Sequence, residues 1–167
     1  MAIDRIDWHW DAITDDIPDD ERWEIAGAHI GYFLEWAYKK GFAPTNPETH
    51  NVDEYKKVVN SEKTGIQFLI ENCDTKFWEE DLNDQGQKFT AFAYGAYLDN
   101  LETILDHKPY TEKYNQQDLQ NVSKYLDEVY SDYLANPPLE LEKKEKQSFL
   151  QKLKDLFGNP GGMKIEK

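Results

Sequence analysis

At 167 residues the chain has the length of a single domain that can bury a core of its own without staples. Apolar residues make up 39% and aromatics 14%, which excludes a disordered chain even though 31% of the residues are charged. A formal net charge of −14 argues against binding to nucleic acid or to an anionic membrane, and favours a basic protein partner.

The charge is uneven. Leu139 to Lys167 holds seven lysines against five acidic residues, so this tail is +2 while residues 1–138 carry −16. The single cysteine, Cys73, excludes an internal disulfide. The opening MAIDRIDWHW lacks the apolar stretch of a signal peptide, and no run approaches the roughly 18 apolar residues of a membrane helix. The expected location is the cytoplasm.

Residues 1–22 read as an irregular or short extended arm, with acidic clusters broken by Pro18 and with Trp8 and Trp10 docking on the body. The first helix is predicted from about Trp23 to Lys40, since Ala26, Ile30, Phe33 and Ala37 follow a 3–4 spacing. Lys39 and Lys40 suit the C-terminal end of its dipole, and Gly41 suits the position just past its end. FAPTNPETHN is a loop punctuated by Pro44 and Pro47. A short helix is predicted from Val52 to Asn60. Thr64 and Gln67 have the spacing of a capping box, opening a helix through Ile66, Leu69 and Ile70 to about Cys73.

Acidic, turn-rich CDTKFWEEDLNDQG follows. The longest apolar stripe then runs from about Asp84 to Leu105 through Phe89, Phe92, Ala93, Ala96, Tyr97, Leu101 and Ile104, with Asn83 or Asp84 as cap. A further helix spans about Gln116 to Ala135, stopped by Pro137 and Pro138. A last one is predicted from about Leu141 to Phe157, ahead of a mobile tail over 159–167. Period-2 runs are too short to signal strands. The expected fold is all-α or mostly α, a compact bundle of five to six helices with an irregular N-terminal arm. Residues 1–138 form one acidic helical domain and 139–158 a loosely packed C-terminal helix.

Motifs for common chemistries are missing: no G-x-S-x-G, no phosphate-cradling loop and no dinucleotide fingerprint. Neighbouring carboxylates push a thiol's pKa up, so Cys73 reads as a buried structural residue and no catalytic residue is assigned. The histidines, His9, His29, His50 and His107, never pair at metal-ligand spacing. A discontinuous site could still combine His9, His29, Asp74 and Asp81, because imidazole with carboxylates suits zinc or manganese. Against it stands a simpler reading, with no metal or cofactor, of His29 as a hydrogen-bonded core residue. In that reading Gly27 and Gly31 admit a close neighbour, with Trp8 or Trp10 as the candidate ring. The run Glu79–Glu80–Asp81 reads as a solvated acidic loop. With Trp78 inside it and Asp84 following, it also has the make-up of a partner-binding patch.

Trp8-His9, the helix segment Gly27, His29, Ile30, Gly31, Phe33, Leu34 and Trp36, and then Cys73-Asp74 and Asp81-Leu82-Asn83-x-x-Gly86 resemble a family of small bacterial proteins carrying a domain of unknown function. The resemblance covers roughly residues 4–105. It implies no catalytic residues. It implies a bacterial cytoplasmic protein of the kind found as immunity proteins beside toxins. The expected function is therefore neutralisation of a basic toxin or effector domain by direct contact. The alternatives are a metal-dependent enzyme or metal-binding protein centred on His9, His29, Asp74 and Asp81, and a helical domain with a housekeeping role.

Overall fold

The computed structural model describes residues 1–14, 17–46 and 50–138. The predicted C-terminal helix over 141–157, the tail over 159–167 and Pro47 lie outside the described residues. The chain divides into two units, 1–129 and 130–167.

The fold is mostly α. Its helices are α1 (Asp19–Lys39), α2 (Val52–Val59), α3 (Gly65–Asn72), α4 (Asp84–Asp99), α5 (Leu101–Leu105) and α6 (Gln116–Ala135). The N-terminal arm is more regular than expected. Strand β1 (Ala2–Arg5) pairs antiparallel with β2 (Lys76–Trp78), and a 3-10 segment, Ile6–Ala12, follows it. Strands of four and three residues are too short for an alternating pattern to be read from sequence. Pairing sets Ala2 against Trp78 and Asp4 against Phe77, with a bulge between Ala2 and Asp4. Along β1 the residue that points inward is not the isoleucine but Asp4, which is 2% exposed.

The helix ends follow local chemistry. Thr64 Oγ1 accepts the Gln67 amide N–H and the Gln67 side chain accepts the Thr64 N–H, closing the capping box. Asn83 caps α4 by accepting the Gly86 N–H. Gly41 takes φ +84° just past α1, a conformation open to glycine at little cost. The helix predicted over 84–105 breaks at Asn100, whose side-chain amide donates to the Ala96 carbonyl. Such side-chain competition for a backbone carbonyl is why Asn ends helices. The apolar stripe of α4 also shifts: Phe92 is exposed, and the inward face is Phe89, Thr90, Ala93, Tyr94 and Tyr97.

The core forms where α1 meets α3 and the 3-10 segment. Phe33 lies edge-on to Tyr94 at 4.9 Å, and Trp36 packs on Phe89 at 5.2 Å. Gly27 and Gly31 do admit a close neighbour, but the neighbour is aliphatic. A Cβ on Gly27 would sit 2.5 Å from Ile6 Cδ1, and one on Gly31 would sit 2.6 Å from the Ile66 backbone nitrogen. Trp10 instead packs on Trp23, and Trp8 is 57% exposed with the Arg5 guanidinium over its ring.

Candidate functional site

One face of α1 carries polar groups into the core: His29, Tyr32 and Glu35, spaced at three and again three residues. Buried polar groups must find partners or destabilise the fold. Here most partners come from β1, α4 and the connection between α5 and α6. Glu35, 2% exposed, accepts the Gly65 N–H at 2.9 Å and the Tyr114 hydroxyl at 2.7 Å, and pairs with Lys39 at 2.7 Å. Tyr32 Oη donates to Asp118, which also meets Asn115 Nδ2 at 2.8 Å and His107 Nε2 at 3.0 Å. Burial works to lower the pKa of His107, yet its bond to Asp118 leaves it raised.

The third polar group, His29, belongs to a denser cluster. Asp4 Oδ1 lies 2.7 Å from His9 Nε2 and 2.7 Å from the Arg5 amide nitrogen. Asp4 Oδ2 lies 3.2 Å from His29 Nε2 and accepts the Tyr94 hydroxyl at 2.7 Å. A backbone amide, a tyrosine hydroxyl and two imidazole nitrogens thus converge on one carboxylate. Burial raises the Asp4 pKa, but the hydrogen bonds from His29 and His9 outweigh it and hold the carboxyl well below the usual range. The imidazoles meet edge to face at 4.4 Å. Tyr110 stacks on His9, and its hydroxyl lies 3.1 Å from His9 Nδ1.

Two details mark this cluster as over-determined. Tyr110 holds φ +64°, a left-handed conformation that costs an aromatic residue about 1–3 kcal/mol. His29 Nδ1 is buried without a hydrogen-bond partner among the described residues. Burial is the largest influence on the His29 pKa and holds it below the ordinary imidazole value. Burial also pushes the Tyr110 hydroxyl up to about 12, so this phenol is not set up as a ready nucleophile or acid.

Of the four residues grouped from sequence, the structure unites His9 and His29 and leaves out Asp74 and Asp81. Asp74 is exposed beside Lys76 in a left-handed turn. Asp81 caps the Trp78 N–H at 2.7 Å and lies 3.6 Å from Cys73 Sγ. Burial pushes Asp81 up to about 6, and burial together with Asp81 pushes the Cys73 thiol far above its usual value. Cys73 is buried, and its protonated thiol borders a cavity of about 260 Å³ that His50, Tyr55 and Phe68 also line. The carboxylate that meets the imidazoles is Asp4, and its ligating atom and theirs lie within 4.8 Å of one another. His107, Glu112 and Asp118 bring three more such atoms together.

Sequence reasoning missed Asp4, Tyr94, Tyr110 and Glu35. For Glu35 a signal existed, a carboxylate set between Leu34 and Trp36 on an apolar helix. For Tyr94 and Asp4, 90 residues apart, there was none.

The patch residues lie on the rim of the small sheet. Trp78 ends β2 and is 37% exposed, Glu79 to Asp81 form a 3-10 turn, and Asp84 opens α4. Glu79, Glu80 and Asp84 are exposed and Asp81 is half-buried. No helix among the described residues is long and apolar enough to cross a membrane.

The chain belongs to the family described as a domain of unknown function, DUF7832, whose family model matches residues 2–132. That span includes α5 and most of α6, beyond the 4–105 segment that carried the resemblance. No curated protein and no solved structure matches the chain.

Proposed function

We propose that this family member is an immunity-type binding protein that neutralises a basic toxin or effector domain by direct contact. The observation that carries the reading is the rim around Trp78, where an exposed indole stands beside the exposed carboxylates of Glu79, Glu80 and Asp84. An aromatic anchor ringed by charge is the composition that binding hot spots use. The rim is also rigid, because Asp81 ties it to the Trp78 amide and Asn83 ties it to the carbonyls of Gly41 and Ala43. A net charge of −14 speeds encounter with a basic partner. An open groove of about 800 Å³, with Asp106, Glu112 and Glu128 on its walls, offers a second place for basic side chains.

Catalysis at the imidazole pair is the weaker reading. Asp4 and His29 are 2% and 3% exposed, and the space beside His29 and Tyr110 is about 10 Å³, the volume of one water. A substrate does not fit there.

The test is co-expression with the adjacent reading frame of the source genome, together with capture of the complex on the tagged protein. The expected result is a stable complex and survival of a sensitive host, both lost in Trp78→Ala/Glu80→Lys. No complex and no protection from the unaltered protein would sink the reading.

A further inference from the structure

We infer that Asp4, His9 and His29 bind one divalent cation of the zinc type, which fastens the N-terminal segment to α1. Both imidazoles turn the same nitrogen, Nε2, toward one carboxylate, His9 toward Oδ1 at 2.7 Å and His29 toward Oδ2 at 3.2 Å. Two imidazole nitrogens and a carboxylate oxygen are ligands that zinc takes at about 2.0–2.2 Å, and the remaining position falls to water or to the adjacent Tyr94 hydroxyl. One outer nitrogen is held as it is in metal sites: His9 Nδ1 lies 3.1 Å from the Tyr110 hydroxyl.

The three ligand atoms lie within 4.8 Å of one another, close enough for one ion to take all three with small side-chain shifts. Because Asp4 lies on β1, His9 on the 3-10 segment and His29 on α1, the ion joins three elements. Asp4 and His29 are buried, so the ion has a structural role.

The test uses the full chain, stripped with chelator and titrated with zinc chloride, with cobalt(II) as spectroscopic probe. Expected are one zinc per chain, a Tm that rises with zinc, and the visible absorption of cobalt in a four-coordinate N/O site. His9→Gln, at a half-buried position, lowers zinc affinity by about 100-fold or more and cancels the Tm rise. Tyr110→Phe keeps every ligand and weakens affinity by about 10-fold, which gives a readout even if His9→Gln fails to fold. His107→Gln leaves binding unchanged. Absence of stoichiometric zinc binding, or binding lost in His107→Gln and retained in His9→Gln, would overturn the assignment.

Discussion

Asp4 and Glu80 are both carboxylates of the small two-stranded sheet region, one on β1 and the other two residues past β2. They do opposite work. Asp4 is 2% exposed, accepts from a backbone amide and a tyrosine and meets two imidazoles, so its charge is consumed inside the fold. Glu80 is exposed beside Trp78, so its charge is presented to whatever approaches. The same functional group is a structural hub where burial makes an unpaired donor costly, and a surface charge open to a partner where water screens it. Composition alone gives 33 acidic residues and does not sort them. Burial does.

The sharpest way to break this comparison is Asp4→Asn. An amide N–H₂ then faces the converging donors, and we expect a loss of about 3 kcal/mol in urea unfolding. A loss within the scatter of surface variants would dissolve the distinction. Glu35→Gln tests a second buried carboxylate, which caps α3 through Gly65 and holds Tyr114. The amide keeps one acceptor, so the expected loss is smaller, about 2 kcal/mol.

Asp81 stands between the two regions, half-buried at the base of the rim, and its effect reverses sign. Its pKa is raised to about 6 by burial. Between about pH 4, where the unfolded carboxyl ionises, and pH 6, the unfolded state releases a proton that the folded state keeps. Stability present below pH 4 is therefore lost as pH rises through 6. Asp81→Asn keeps an acceptor for the Trp78 N–H and removes that slope. Urea titrations should find it about 1 kcal/mol more stable than wild type at pH 8 and equal at pH 4. A variant that loses stability at pH 8 would contradict the assignment. The smallest expected change in stability is for Glu80→Lys, within about 0.5 kcal/mol, although it reverses charge on the rim.

What sequence reveals here follows the range of each interaction. The Thr64–Gln67 box, the Asn83 cap, the glycine stop at Gly41 and the bounds of α6 depend on neighbours within one turn, and each is legible. The break at Asn100 is local too, but the apolar stripe through Leu101 concealed it. His29 was legible as a hydrogen-bonded core histidine, since two glycines in a helix need a compensating close contact; its partner was not. Asp4 sits in a strand with no readable period, and its pairing with β2 and Tyr94 closes loops of some 70 to 90 residues. The rim residues Trp78, Glu79, Glu80 and Asp84 could be named because exposure of an acidic, turn-rich stretch needs no tertiary partner.

The most direct test of the account pairs two readouts, unfolding free energy and protection of a toxin-sensitive host, in Glu79→Lys/Glu80→Lys. The account predicts wild-type stability with protection lost. Protection retained at full strength, with the rim charge reversed and the fold intact, would contradict it.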